Sequence, residues 1–168
     1  MLIVDLVSGN GFYRRYKMTI KTNLYFLRSS EQHILNTMLN SAFNEQESIE
    51  FFAFTSNDLG LYALVDNVLA GAVWIRKLPA YEYPILNISV KEKFRGQGLA
   101  TLMLNQIFIE AGLIFEKLEV RLQKNQNFID FYKKFAFVEE NNRLLKSLDK
   151  KEVLNLYDDY SSCKWMEP

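Results

Sequence analysis

A chain of 168 residues, 49% hydrophobic with 13 Phe and 9 Tyr, fits one globular domain with a substantial core and excludes a disordered protein. Its 20 basic and 20 acidic residues cancel, so the basic excess suited to nucleic acid is absent, and no run approaches the ~20 apolar residues of a membrane span. One cysteine, Cys163, forbids an intrachain disulfide and fits a reducing, cytoplasmic setting; with one histidine it is too little for a His/Cys metal site or a Cys-His nucleophile.

Residues 1–17 do not read as core: residues 1–7 are apolar but carry Asp5 and no basic lead, which argues against a secretory signal. Ser8, Gly9, Asn10 and Gly11 form a turn cluster, and the segment reads as an N-terminal extension, an added strand or arm. A strand is expected over residues 24–28. Ser29 and Gln32 then have capping-box spacing, ahead of a helical stripe of Ile34, Leu35, Met38, Leu39 and Ala42. A short second helix fits residues 46–54. Residues 61–65 and 68–75 form a hairpin about Asp66 and Asn67, a pair that tolerates the left-handed turn.

Residues 85–90 read as a buried strand, and residues 99–111 as a helix with the stripe Ala100, Met103, Leu104, Ile107, Phe108 and Ala111, stopped by Gly112 as a cap. Residues 118–122 form a strand in which Glu119 and Arg121 alternate with apolar residues. Asn127 can cap a last helix with Phe128, Phe131, Tyr132 and Phe135 on one side. More strand is expected from Phe137. Residues 143–160 stay open, since Asp149 and Glu152 have cap spacing while residues 153–157 fit a strand; residues 163–166 fit a closing strand. Strands alternating with helices around a central meander give an α/β fold of mixed type: one mixed, mostly antiparallel sheet with helices on both faces, in a single domain.

Between the strand ending at Val90 and the helix beginning at Leu99 lies Phe94-Arg95-Gly96-Gln97-Gly98-Leu99-Ala100-Thr101. Two glycines permit a tight turn and remove side chains from the space above it. The helix that follows aims unpaired N–H groups and the positive end of its dipole into that space, an arrangement that binds phosphate or diphosphate. The third glycine of a dinucleotide fingerprint is missing, and no Gly-Lys-Ser/Thr follows as in a nucleotide P-loop.

The spacing Arg95-x-x-Gly98-x-Ala100 resembles the Gln/Arg-x-x-Gly-x-Gly/Ala loop of the GNAT superfamily of N-acetyltransferases. Val90-x-x-x-x-Arg95-Gly96 is similar to that family's Val-x-Pro-x-x-Arg-Gly, with Glu92 where proline is usual. A second element, Tyr132-Lys133-Lys134-Phe135-Ala136-Phe137 with Asn125 seven residues ahead of the tyrosine, looks like the family's Tyr-x-Lys/Arg-x-Gly-Phe. Ala136 stands where glycine is usual and Phe128 where a small alanine is common. The resemblance runs over about residues 24–137.

It implies a sheet splayed between the strand ending at Val90 and the strand over 118–122, with acetyl-CoA in the wedge. The backbone of Ile88, Ser89 and Val90 would pair with the pantetheine amides as strand pairs with strand. Amides of Arg95, Gly96, Gln97, Gly98, Leu99, Ala100 and Thr101 would hold the diphosphate. Asn125 would help hold the cofactor and Tyr132 would be the general acid, its ring packing while its hydroxyl reaches the site. Many relatives carry a glutamate on the strand ending at Val90; none is present here. Glu82 is the nearest candidate base, Asn87 and Ser89 offer a water-mediated alternative, and His33 reads as solvent-facing.

The acceptor site of this fold is built from the first helices, here about residues 33–58, within a stretch (29–66) holding six acids and no base. The implied activity is transfer of an acetyl group from acetyl-CoA to a primary amine, a cationic small molecule or a peptide, drawn by Glu45, Glu47 or Glu50. Phe43, Phe51, Phe52 and Phe54 would offer an apolar wall. The alternative is a non-catalytic module of the same fold that binds acyl-CoA as a sensor. No nucleic acid, membrane or metal is expected, and the family's frequent homodimers extend to this chain as an expectation.

Overall fold

The computed structural model describes residues 21–40, 54–121 and 128–148. Strand β1 (Thr22–Phe26) begins two residues before the expected span, because Thr22 and Asn23 already pair with Val65 and Leu64; just past its end Leu27 is buried, its N–H donating to the Gly60 carbonyl at 2.8 Å. The expected Ser29/Gln32 cap is not what starts the next helix. Residues Ser29–Glu31 form a 3-10 turn in which the Arg28 N–H donates to the Glu31 carboxylate at 2.9 Å, and helix α1 (Gln32–Asn40) follows. Leu35 and Met38 are buried and Ile34 partly so; Ala42 and the side chain of Leu39 lie outside the described residues, as do residues 46–53 of the expected second helix.

Strands β2 (Leu59–Val65) and β3 (Val68–Arg76) meet at Asp66 and Asn67, whose φ values of 48° and 64° make the mirror-image turn that suits the twist of a hairpin. Strand β4 (Ile85–Val90) and helix α2 (Leu99–Gly112) have the expected positions. Gly112, however, is the last buried residue of α2 and not a left-handed cap; the N–H groups of Leu113 and Phe115 close the helix end onto Glu110 and Ala111. Strand β5 (Lys117–Arg121) and helix α3 (Ile129–Lys133) come next. Phe128, expected on the buried side of α3, is instead 55% exposed just ahead of it. Strands β6 (Val138–Glu140) and β7 (Arg143–Ser147) are joined by Asn141 and Asn142 at φ 49° and 64°, which settles residues 143–147 as strand. The chain beyond Leu148 lies outside the described residues.

The seven strands form one sheet in the order β1-β2-β3-β4-β5-β7-β6, antiparallel except between β4 and β5. Side chains alternate between its two faces. On one face Met103, Leu104 and Ile107 of α2, with Tyr132 of α3, pack on Val73, Ile75, Leu86, Leu118 and Leu144. On the other, Leu35 and Met38 of α1 pack with Leu27, Phe54, Ala72 and Trp74. Each fully buried large side chain contributes on the order of 1.5–3 kcal/mol of transfer free energy, so both faces of the centre are firmly held. No helix among the described residues is long and apolar enough to cross a membrane.

Candidate active site

β3 pairs with β4 along the whole of β4, whereas β5 meets it only at Ile85 opposite Glu119, where the Glu119 N–H also donates to the Pro84 carbonyl at 2.9 Å. Past that point the two parallel strands part. Among the described residues, one edge of β4, including the backbone of Ile88, Ser89 and Val90, therefore has no strand against it. An open strand edge inside a molecule accepts an extended, amide-bearing ligand in place of the missing strand.

The glycine-bearing loop closes the far end of that gap. β4 runs into a 3-10 turn over Glu92–Phe94, which uses the Arg95 N–H as a donor to the Glu92 carbonyl at 3.0 Å. The Arg95 side chain turns back, its Nε donating to the Val90 carbonyl at 3.0 Å, and Gln97 Nε2 donates to the Lys93 carbonyl at 3.0 Å. Both side chains thus brace the loop, and the Arg95 amide expected to face a diphosphate is engaged within the turn. Gly96 and Gly98 hold φ values of 72° and 80°, and a Cβ on either would meet nothing within 4 Å. The glycines serve conformation and leave open space above the loop. Gly98 caps α2 with no side-chain bond to the helix amides, so the first-turn N–H groups of Leu99, Ala100 and Thr101 face that space beside Gly96 and Gln97. Leu99 is buried by its side chain, whereas Gly96, Gln97, Gly98 and Thr101 are exposed.

The titratable groups gather at the opposite end of the gap. Ile85, Asn87 and Ser89 of β4 share the sheet face that carries α1, and by register Glu119 and Arg121 of β5 and Arg143 of β7 share it too. Glu119, read in the sequence only as half of an alternating strand, has a side chain just 6% exposed. Arg143 Nη1 donates to its carboxylate at 3.3 Å, and Arg121 Nε stands 3.6 Å away. No residue pattern singles it out; its burial comes from the Ile85 contact and from Arg143, 24 residues on. Glu82, the expected base, is a weaker candidate. Its side chain is 59% exposed and ion-paired to Arg143 Nη2 at 3.2 Å. A hydrogen bond from Tyr83, with Arg143 behind it, holds its carboxyl below the ordinary carboxylate range.

Ser89 is buried, its Oγ 3.5 Å from the Met38 carbonyl, and Asn87 Nδ2 is buried with no partner among the described residues. Tyr132 is 7% exposed, edge-on to Phe131 and Phe137 at 5.3 Å each, and desolvation pushes its hydroxyl up to about 12. His33 is exposed, as expected. Asn125, Asn127, Phe43, Glu45, Glu47, Glu50, Phe51 and Phe52 lie outside the described residues. The other three acids of the acidic stretch all serve local structure. Glu31 caps α1 and accepts from Tyr62, Asp58 pairs with buried Arg76 and accepts from Thr55, and Asp66 accepts from the Lys21 N–H.

A family model described as acetyltransferase (GNAT) family matches residues 28–137. No curated protein matches the sequence. Among solved structures, the ribosomal-protein-S18-alanine N-acetyltransferase of Escherichia coli superposes with a TM-score of 0.65 at 14% identity, covering 77% of this chain and 95% of that one. Mutant forms of the spermidine/spermine N-acetyltransferase SpeG from Vibrio cholerae give 0.58 at 14% identity, covering 81% and 99%. A GNAT family acetyltransferase from Elizabethkingia anophelis with acetyl-CoA bound gives 0.57 at 15% identity, covering 76% and 97%. At these identities the likeness is one of fold.

Proposed function

The chain belongs to the GNAT family of acetyltransferases, whose acyl donor is acetyl-CoA, and we propose that it transfers the acetyl group to a primary amine seated beside Glu119. The observation that carries this reading is the parting of β4 from β5, with an amide-lined glycine loop at one end and a buried carboxylate at the other. The site fits the donor. The unpaired edge of β4 at Ile88, Ser89 and Val90 suits the pantetheine amides, and the amides from Gly96 to Thr101 suit the diphosphate. Fixed backbone donors lose little entropy on binding. Bound there, acetyl-CoA supplies an activated thioester.

The chain's own residues then manage two protons. An alkylamine of pKa ~10.4 is neutral in only ~1 part in 10³ at pH 7, a barrier of roughly 4–5 kcal/mol that a positioned base lowers. Glu119 is that base: a hydrogen bond from Arg143 holds its carboxylate at the start of the gap, whereas exposed Glu82 is held ionised as a partner of Arg143. A backbone N–H on the open edge of β4 would donate to the oxygen that gains charge. Tyr132 keeps its proton at neutral pH and serves as donor to the departing sulfur.

Thiol release from acetyl-CoA, followed with a panel of amines and peptides, tests the reading. Glu119→Gln is expected to lower kcat at pH 7 by roughly 10²- to 10⁴-fold, while Glu82→Gln stays within about threefold of wild type. Stabilisation by acetyl-CoA with no thiol release for any amine would instead identify a non-catalytic binding module. Equal losses in the two variants would remove Glu119 as the base.

A further inference from the structure

The basic side chains beside Glu119 are not equivalent. Arg143 is shared between two carboxylates, Glu119 at 3.3 Å and Glu82 at 3.2 Å. Arg121 is different. Its guanidinium lies over the Tyr81 ring at 3.8 Å, which fixes its plane, and its side chain is 38% exposed. Its approach to Glu119, 3.6 Å at Nε, is too long for a hydrogen bond, and none of its donors is otherwise bonded among the described residues. It therefore presents a flat, oriented fork with unused N–H groups, the geometry that receives a carboxylate through two parallel bonds.

A second observation lies across the gap. Ile85 and Glu119 are partners, so two residues further along each strand, on the same face, stand Asn87 and Arg121. Asn87 Nδ2 is buried and has no hydrogen-bond partner among the described residues. Donors without acceptors thus flank the point where the strands part, and a buried donor left unpaired is costly unless a ligand supplies the acceptor. Charge argues the same way. The carboxylates of Glu82 and Glu119 are balanced by Arg143 and Arg121, so this cluster holds no net negative charge to draw an acceptor that is purely cationic.

We propose that Arg121 binds a carboxylate carried next to the reacting amine, so that the acceptors are α-amino acids and close analogues and not simple polyamines. This rests on the transferase reading and narrows it.

The test compares matched acceptors, the 20 common amino acids and their α-carboxamides, by thiol release with wild type and with Arg121→Gln and Arg121→Lys. Wild type is expected to favour the free acid over its amide by tenfold or more in kcat/KM. Arg121→Gln is expected to collapse that ratio toward one through a rise in KM of roughly 10- to 100-fold for the acids, and Arg121→Lys to keep part of it. A wild-type ratio near one, or a preference that survives in Arg121→Gln, overturns the assignment. A structural role for Arg121 through Glu119 would slow acids and amides alike and leave their ratio intact, which also overturns it. If polyamines are acetylated and neither series is, the carboxylate subsite falls while the transferase reading stands. If no amine at all is acetylated, both fall.

Discussion

Tyr132 and Glu119 are both buried but in opposite surroundings, Tyr132 among aromatic rings and Glu119 against the guanidinium of Arg143, and their proposed proton roles follow from that. Tyr132 is enclosed by Phe131, Phe137 and the core beneath α2, so the phenolate is disfavoured and the hydroxyl is pushed up to about 12 from an ordinary 10.0. A group held protonated in this way loses nothing below pH 10. Between pH 10 and 12 the unfolded chain gives up that proton and the folded chain does not, so stability falls across that window by roughly 2–3 kcal/mol. Tyr132→Phe is expected to remove this part of the alkaline loss in unfolding titrations at pH 8 and pH 11.5. The same substitution should lower kcat with little change in KM for acetyl-CoA; an unchanged kcat would leave Tyr132 a packing residue alone. The tyrosine was legible in the sequence through its motif. The carboxylate was not, because a Glu alternating with apolar residues on a strand looks like a solvated face. Only pairing with Ile85 and Arg143, distant in the chain, turns Glu119 inward.

Local turns were legible where a short-range rule decides them and misleading where two rules compete. Asp66 and Asn67 announced their hairpin. Ser29 and Gln32 had the spacing of a cap, yet Glu31 lay one residue nearer and its carboxylate took the Arg28 N–H first. Gly112 looked like a helix stop, but it is the last helical residue with no left-handed φ, and the end is closed by the Leu113 and Phe115 N–H groups donating to the Glu110 and Ala111 carbonyls. The end of α3 shows the reverse case. Ala136 takes φ 61° as the Ala136 and Phe137 N–H groups close back on the Lys133 and Tyr132 carbonyls, at 3.1 and 3.4 Å. That is the position where helices usually place glycine. A left-handed alanine costs about 1–2 kcal/mol, of which the greater freedom of unfolded glycine returns a part. Ala136→Gly is expected to stabilise the protein by about 0.5–1 kcal/mol in chemical unfolding, with the slope of the transition unchanged. Destabilisation would mean that the methyl group makes packing contacts worth more than the strain.

At the scale of the whole molecule, the alternation of strands and helices already dictated a mixed sheet covered on both faces. The order of its strands did not follow, because β7 enters between β5 and β6 by a pairing with β5 that no local signal encodes. That insertion matters for the site, since it brings Arg143 beside Glu119 and completes the second half of a sheet whose halves join at a single residue pair. A sheet joined so narrowly leaves one edge of β4 without a strand among the described residues, and a ligand that fills the gap should tie the halves together. Binding to the folded chain alone, at 100 times its Kd, adds about 2.7 kcal/mol, or roughly 5–10 °C in Tm for a protein of this size. Coenzyme A and acetyl-CoA are expected to give similar shifts, because both carry the diphosphate that the loop amides take and the pantetheine that lies along the β4 edge. Acetyl-pantetheine, which lacks the diphosphate, should give much less. Gly98→Ala places a side chain at φ 80° and moves the helix amides off the diphosphate, so it should abolish most of the shift at the same ligand concentration. Equal shifts from acetyl-pantetheine and coenzyme A would show that the glycine loop holds no diphosphate, and the absence of any shift would remove the donor site itself.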